Sequence, residues 1–277
     1  MRIFPVCLLL AAAILPQAVR AQSASKDDDF IMAGVGIGRV ADYEGSDDYE
    51  LLPVPGVVGR VDGIGFSYLG NRVSVNLIRA PEGPGWSFTL GPVASIGLNR
   101  ATLKSIDDPR IRALGKVGIS VELGGMAGIA RRGVLTSDYD RLGFTVSVRH
   151  DVAGGHGGTL INPNINYITP LSRRSLALLF VSATHADGDY ARSYYTITPA
   201  QSVASGLPVF NAKSGWKDWT IGGALDVSLT GDLTGGLSAI GGVAYTRLLN
   251  DFAASPVVSV AGSRDQWMVG LGLAYTF

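Results

Sequence analysis

The sequence has almost no cysteine. The only one among 277 residues is Cys7, which lies in the first apolar run. If that run is removed on export, the remaining chain can form neither disulfides nor thiolate metal sites. Charge of one sign is not in excess either, because Asp and Glu number 23 and Lys and Arg number 23. Composition therefore gives no argument for binding nucleic acid or another polyanion.

Long hydrophobic runs are also missing after the N-terminus. The run at residues 3–15 follows Arg2 and is shorter than the ~20 residues of a spanning helix. After it, Val19 and Ala21 place small residues at the positions that a signal peptidase reads. This order predicts a secretory signal peptide over 1–21, with a retained membrane anchor as the alternative. The remaining chain, 22–277, can cross a membrane only as a closed β-barrel, because strands of an open sheet would leave backbone groups unpaired in lipid.

Glycine is abundant, at 37 of 277 residues, roughly twice its usual share. It occurs among short apolar stretches and shows no three-residue repeat, which favours twisted strands with crowded inward faces over a collagen or a linker. Gly34, Gly36 and Gly38 imitate part of a nucleotide-binding fingerprint. That motif requires a helix after the glycines, and here they alternate within a strand pattern, so we assign them to a strand.

The C-terminal segment gives the clearest strand pattern. One face is apolar and consists of Trp267, Val269, Leu271, Leu273, Tyr275 and Phe277, while the residues between them are small or polar. Such a strand, tilted by ~40°, spans roughly 20–25 Å, the height of an outer-membrane barrel. Trp267, Tyr275 and Phe277 are expected to belong to the aromatic girdles at the two interfaces. A buried sandwich strand is the alternative for this segment.

The same two-residue alternation recurs along the chain. It predicts an all-β, transmembrane, antiparallel barrel of twelve strands, near 30–40, 52–62, 64–70, 72–79, 86–98, 113–130, 139–150, 158–170, 174–185, 216–230, 233–248 and 265–277. Ten strands remain possible if 64–79 is one bent strand. An even count places both termini on the periplasmic side, with short periplasmic turns and longer external loops. The link 186–215 should be the largest external feature.

Several charged residues fall on the predicted inner face. These candidate lumen-lining residues are Arg72, Glu122, Arg141, Arg149, Asp218 and Asp226. Charges of both signs inside a barrel can line a water path, and they can equally pair and plug it. A twelve-stranded bore lies between the filled eight-stranded barrels and the open porins.

Three groups of histidine and carboxylate residues could form metal or catalytic sites, and each also has a simpler structural explanation. His150, Asp151 and His156 could supply zinc ligands, but no further strong ligand is in view and the glycines between them indicate a loop with unusual backbone angles. His150 on the outer face raises the question of a lipid hydrolase, yet Ser147 points the other way, so a catalytic serine is missing. The acidic segment 42–50 could bind divalent cations near lipopolysaccharide phosphates, or be a solvated loop.

Loop and strand-end strings resemble a known family. They include Asp42-Tyr43-Glu44-Gly45-Ser46-Asp47-Asp48-Tyr49, Leu52-Pro53-Val54-Pro55, Val146-Ser147-Val148-Arg149-His150-Asp151, Ala186-Asp187-Gly188-Asp189-Tyr190, Gly215-Trp216-Lys217-Asp218 and Gly270-Leu271-Gly272-Leu273-Ala274-Tyr275-Thr276-Phe277. In this order, from about residue 30 to the end, they resemble the MltA-interacting protein/OmpV family of outer-membrane proteins. Thr276 departs from the family, which typically has a basic residue there.

The resemblance implies a non-enzymatic protein of the Gram-negative outer membrane without a cofactor. It implies contacts with outer-membrane lipid, lipopolysaccharide and the barrel-assembly machinery, and no nucleic acid. One family role is a scaffold that links a lytic transglycosylase, which cleaves murein, to a penicillin-binding protein, which synthesises it. A small porin-like solute channel with the mixed-charge lumen is the alternative function.

Overall fold

A computed structural model describes residues 29–79 and 85–277. The signal peptide predicted at 1–21 lies outside these residues. In the described part of the chain there are twelve strands: β1 Phe30–Ala41, β2 Tyr49–Val61, β3 Ile64–Leu69, β4 Arg72–Asn76, β5 Gly85–Gly97, β6 Ser120–Arg132, β7 Arg141–Asp151, β8 Thr159–Ser172, β9 Ser175–Ala186, β10 Gly215–Ser228, β11 Gly236–Leu248 and β12 Asp265–Thr276.

The strands form one closed antiparallel barrel. Each strand pairs with the next along the chain, and β1 pairs with β12 to close the ring, with Met32 opposite Thr276 and Arg39 opposite Val269. The prediction of twelve strands is confirmed, and the alternative of ten is wrong. The segment 64–76 is a hairpin because Gly70, at φ +59°, supplies the left-handed conformation that a tight turn needs.

Several strand boundaries differ from the prediction by up to three residues, and one, the start of β6, differs by more. The pattern placed a strand at 113–130, whereas β6 begins at Ser120 and a short helix, α1 (Pro109–Ala113), precedes it. Asp108 caps this helix by accepting a hydrogen bond from the Arg110 amide. Gly115 and Gly118 then have φ of +84° and +113°, conformations that interrupt a strand.

The two faces of the barrel wall differ in composition. Outward side chains are large, apolar and exposed, such as Val35 at 62% and Leu271 at 71%. Inward positions of β1 and β12 are rich in glycine because the two backbones approach closely there. A Cβ added to Gly36 would lie only 2.6 Å from the Leu271 carbonyl oxygen. The excess of glycine thus follows from strand packing.

The two ends of the barrel also differ. At the short-turn end, the links are 62–63, 77–84, 133–140, 173–174 and 229–235; at the long-loop end they are 42–48, 70–71, 98–119, 152–158, 187–214 and 249–264. The long loops carry helices α2 (Gly188–Tyr195), α3 (Pro199–Ser205), α4 (Asn250–Ala254) and α5 (Pro256–Ser259). No helix in the described ranges is long and apolar enough to span a membrane.

Candidate functional site: the plugged mouth and the lumen

The long-loop end of the barrel is filled by a hydrophobic cluster, here called the loop plug. It contains residues of four loops, 42–48, 98–119, 187–214 and 249–264, together with Leu160, Ala186 and Leu248 of the wall. These three wall residues are at most 4% exposed and pack against the loop residues, so they face into the barrel. The loops therefore fold over the lumen and bury apolar side chains there.

Helix α2 supplies the centre of the loop plug. Tyr190, Ala191, Tyr194 and Tyr195 are at most 6% exposed and fall at positions i, i+1, i+4 and i+5, which form one helical face. Asp187 begins the helix by accepting hydrogen bonds from the amides of Asp189 and Tyr190. Tyr195 packs edge-on against Phe252 of α4, with 5.1 Å between ring centroids, so two separate loops share one core.

A buried charge cluster joins the loop plug to the wall on one side. Glu122, 6% exposed, accepts hydrogen bonds from Ser95 Oγ at 2.7 Å and Arg149 Nε at 2.8 Å. The Nε2 atom of His156 lies 3.3 Å from the other carboxylate oxygen of Glu122. The ring of His156 also meets Tyr190 of α2 edge-on at 4.8 Å. The carboxylate of Glu122 is thus bonded to two wall residues, Ser95 and Arg149, and also contacts a loop residue, His156.

A second charge cluster joins β10 to the loop 42–48. Lys217 Nζ bonds to Glu44 of loop 42–48, lies 3.2 Å from Asp218, and lies 3.4 Å from the hydroxyl of Tyr190. Tyr190 in turn donates a 2.6 Å hydrogen bond to Glu44. Burial alone would raise the pKa of Glu44, but the ammonium of Lys217 and these hydrogen bonds hold that pKa below its ordinary value.

The strand register places the six charged candidates on the inner face. Arg72 is opposite Ser95 on β5, and Ser95 is opposite Glu122 on β6. The pairing of the other strands places Arg149 and Asp226 on the same face. Glu122, Arg149 and Asp218 lie in the clusters beneath the loop plug. Arg72 is close enough to Arg149 and Glu122 to interact electrostatically. These four are therefore separated from Arg141 and Asp226, which lie at the short-turn end.

The short-turn end holds a polar cavity. It has a volume of about 240 Å³ and is lined by Arg60, Arg132 and Arg141, with Asn76, Ser87 and Thr89 nearby. Arg132 and Arg141 are directly opposite each other on β6 and β7. Asp226 is 7% exposed, and its Oδ1 atom has no hydrogen-bond partner among the described residues. The cavity at this end is therefore lined by basic side chains, whereas the lumen beneath the loop plug holds charges of both signs.

The three aromatic candidates lie on the outer face, near both ends of β12. Trp267 is 51% exposed and stacks against Tyr245 at 5.0 Å between centroids. Tyr275 and Phe277 are 47% and 75% exposed and contact each other at 4.8 Å. This placement fits rings that sit at the two interfaces of a membrane with their apolar faces toward lipid.

The histidine pair does not form a metal site in this arrangement. His150 faces outward and bonds to Thr159 Oγ1 at 3.0 Å, whereas His156 faces inward to Glu122. Asp151 accepts hydrogen bonds from backbone amides, including those of His156 and Gly157, and so shapes the turn.

In the acidic loop, Asp42 and Asp48 have carboxylate oxygens within 4.8 Å of one another and of Asp107.

Sequence reasoning missed Lys217, Glu44 and Tyr190. In a regular strand, neighbouring side chains point to opposite faces of the wall. The adjacent residues Lys217 and Asp218 could therefore not both point inward, and the sequence pattern assigned only Asp218 to the inner face. A bulge between Trp216 and Asp218 in the pairing with β9 makes this possible. Two adjacent charged residues in a strand were the one sequence signal for this bulge, because a bulge changes the direction in which a side chain points.

Comparisons with known proteins identify a family and a set of similar barrels. A family model described as MltA-interacting protein MipA matches residues 33–277. The comparison with curated proteins found no match.

Among solved structures, the NanC porin is 10% identical with a TM-score of 0.44, covering 89% of this chain and 98% of that one. The translocator domain of the autotransporter NalP from Neisseria meningitidis is 10% identical with a TM-score of 0.40, covering 92% and 90%. An anion-selective porin from Comamonas acidovorans is 11% identical with a TM-score of 0.37, covering 90% and 98%. We take no function from similarities at this level.

Proposed function

Because the chain belongs to the MltA-interacting protein MipA family, we propose that it is a non-enzymatic barrel of the Gram-negative outer membrane that holds a murein-processing enzyme at its periplasmic rim. The family description names an interaction with MltA, a lytic transglycosylase. Under this proposal the long-loop end faces the exterior and the short-turn end faces the periplasm, where a scaffold could also bind a penicillin-binding protein.

The loop plug supports a scaffold in preference to an open pore. Eighteen buried hydrophobic residues form one cluster at the long-loop end, and two charge clusters attach it to the wall. A solute that crosses the lumen would have to displace this core. Binding at a rim needs no such displacement, so the plug is compatible with a scaffold as it stands.

The observation that carries the proposal is the construction of the turn 133–140. Asp140 is fully buried and accepts hydrogen bonds from the amides of Val134, Leu135 and Thr136 at 2.6–2.8 Å and from the Tyr167 hydroxyl at 2.7 Å. Burial alone would raise the pKa of Asp140, but these hydrogen bonds lower it overall. Its carboxylate therefore holds the turn in one conformation.

This turn displays two large apolar side chains to the surroundings. Leu135 is 73% exposed and Tyr139 is 77% exposed. Fixed aromatic and aliphatic side chains are effective anchors for a protein partner, because little conformational entropy is lost when they bind. We assign the docking surface for the murein enzyme to Leu135 and Tyr139 of this turn.

The first test measures binding of a purified lytic transglycosylase of the MltA type to the folded barrel in lipid vesicles, by co-sedimentation. We expect the wild type to retain the enzyme and the double variant Leu135→Ser, Tyr139→Ser to bind at least roughly tenfold more weakly, because loss of an anchor residue typically costs about 2 kcal/mol.

Val203→Ser is the matched control. Val203 is 89% exposed in α3, at the opposite end of the barrel, so its loss should leave binding unchanged. Failure of the wild type to retain the enzyme would contradict the scaffold. Undiminished binding by the double variant would place the docking surface elsewhere.

A second candidate function, a porin-like channel, is favoured by the arginine-lined cavity at the short-turn end. If the lumen conducts, wild-type protein in a planar bilayer gives discrete steps that favour anions, because Arg60, Arg132 and Arg141 face the cavity. Arg141→Gln should then reduce the anion preference. Arg131→Gln is the control, since Arg131 is exposed and packs over the outward ring of Trp86. The scaffold proposal predicts no steps at all.

A further inference from the structure

The barrel wall has a gap above its shortest hairpin. β3 has six residues and β4 has five, between β2 and β5 with thirteen each. Only Gly56–Val61 of β2 pairs with β3. In the described part of the chain, residues 49–55 therefore have β1 on one side and no strand on the other. We call this gap the wall window. On the side of the short-turn end it is bounded by the turn 69–71, and on the side of the long-loop end by a hydrogen bond from the Glu44 amide to the side chain of Asn99.

The free edge of the window is adapted to an apolar environment. The Gly70 amide donates a 2.9 Å hydrogen bond to the Pro55 carbonyl oxygen, so the backbone polar side of Pro55 faces the hairpin rather than β1. Pro53, two residues earlier, faces the same way. Because proline has no N–H group, this edge lacks two donors that would otherwise point unpaired into the gap. An unpaired donor is strongly unfavourable in hydrocarbon.

The window lies within the apolar band of the outer surface. The backbone amide of Trp267 donates a 3.2 Å hydrogen bond to the hydroxyl of Tyr49, so the start of β2 lies beside one aromatic end of β12. Residues 51–55 follow toward the middle of the barrel. Leu51 points outward and is 69% exposed, while Leu69 and Val54 point inward and are still 58% and 39% exposed. Inward side chains with this exposure border open space inside the barrel, and here that space adjoins the edge of β2 that pairs with no strand.

Behind the window is an apolar cavity of about 310 Å³ inside the barrel. Its lining has no charged or hydrogen-bonding side chain. It includes Val54 and Leu69 from the window, glycines of β1 and β12, and the side chains of Met268 on β12, Ile240 on β11 and Phe180 on β9. A cavity of this size is within the range of small-molecule sites. It differs sharply from the arginine-lined cavity at the short-turn end.

We propose that the wall window admits a small hydrocarbon molecule, dissolved in the bilayer, to this apolar cavity. The loop plug covers the aqueous entrance at the long-loop end, and charged groups lie at the other end, so the window is the apolar route. The window opens onto membrane hydrocarbon, which concentrates apolar solutes. The cavity offers such a solute only hydrophobic contacts, which is why the ligand class is hydrocarbon and not a polar nutrient.

The test uses trifluoromethyl-phenyldiazirine, a small apolar carbene precursor, dissolved in lipid vesicles that contain the full folded barrel. After irradiation, the labelled residues are mapped by mass spectrometry. We expect labelling of Ile240 and Met268, inside the cavity, in addition to the outward residues. Excess dodecane should suppress the inner labelling. Labelling of outward residues alone would overturn the proposal.

A cavity-filling variant provides the specificity arm. A Cβ added to Gly270 would meet no atom closer than 3.6 Å, so Gly270→Phe can project its ring into the cavity. We expect inner labelling to fall by roughly tenfold in this variant, because the ring takes the space that a ligand needs. Gly241→Phe is the matched control, since Gly241 faces lipid on the adjacent strand. Equal inner labelling in both variants would overturn the proposal.

Two further arms address the route and the source. Leu69→Glu places a carboxylate in the window and should reduce labelling of Ile240, while unchanged labelling would mean that the probe enters elsewhere. A phospholipid with the diazirine in its acyl chain tests the lipid itself as occupant. If only this lipid labels the cavity, and the free probe does not, the small-molecule proposal is wrong. Heat-modifiable gel migration confirms that each variant is folded.

Discussion

Replacing residues 187–214 by a two-residue Asn-Gly turn should convert a barrel that is silent in a planar bilayer into one that gives discrete conductance steps. Ala186 and Gly215 are already paired across β9 and β10, so a tight hairpin turn can join them. The change removes seven of the eighteen residues of the loop plug: Tyr190, Ala191, Tyr194, Tyr195, Ile197, Leu207 and Ala212. What remains cannot fill the mouth, so ions should reach the lumen.

The strands should survive this change, because their ladder of hydrogen bonds does not depend on the loop. Heat-modifiable gel migration therefore checks folding separately from conductance. Val203→Ser, which changes an exposed residue of the same loop, should leave the bilayer silent. A folded but silent loop variant would mean that the lumen is closed elsewhere, with the polar residues around Arg141 as the next place to examine. Conductance by the wild type would show that the plug does not seal.

The strand pattern was predictable because it depends on neighbours in sequence. On β12, apolar residues alternate with small ones, and the lipid outside and the crowded wall inside require that alternation wherever the chain crosses. The hairpin at 64–76 was predictable for the same reason, with Gly70 marking its turn. The boundary of β6 was not predictable, since Val117 and Ile119 continue the alternation although Gly118, at φ +113°, departs from regular strand geometry.

The loop plug could not be predicted from the sequence. Its contacts join residues far apart in the chain: the Tyr43 hydroxyl bonds to the carbonyl oxygen of Ala261, 218 positions away. Loops 98–119 and 249–264 mix charged and apolar residues without a pattern that tells which of them will be buried, and only the closed ring of strands brings their apolar residues together. The partners of the charged lumen residues could not be predicted either. The alternation along a strand predicts which face a side chain is on, but not which residue it contacts. Glu122 proved to pair with Arg149 of the neighbouring strand and to contact His156, a loop residue.

Replacing Lys217 by methionine should release the loop plug from the wall. The change leaves Glu44 and Asp218 without their shared cation, and loss of one partner of a buried ion pair typically costs about 3–5 kcal/mol. Because β10 is held by its neighbours, we expect the loss to appear as local opening of loop 187–214, by roughly 100-fold or more. Limited digestion with trypsin measures it, since Arg192 and Lys213 provide exposed cleavage sites in that loop. Lys104→Met, which removes an exposed lysine of loop 98–119, should leave the rate unchanged.

The pH dependence of this cleavage separates loss of the ion pair from general damage. In the wild type, Lys217 holds the pKa of Glu44 below its ordinary value, so folded Glu44 binds fewer protons than unfolded Glu44. Its stabilising contribution is therefore complete above about pH 5 and is lost as the pH falls further, so loop cleavage should accelerate on acidification. Since trypsin is slow in acid, the readout there is hydrogen exchange of the loop amides, with each exchange rate divided by the intrinsic rate of an unprotected amide at the same pH. In Lys217→Met, burial without the cation raises the pKa of Glu44 and the sign reverses: acidification neutralises an unpaired carboxylate and should slow exchange. If exchange in the variant rises with acidity as in the wild type, the Lys217–Glu44 pair does not hold the loop plug.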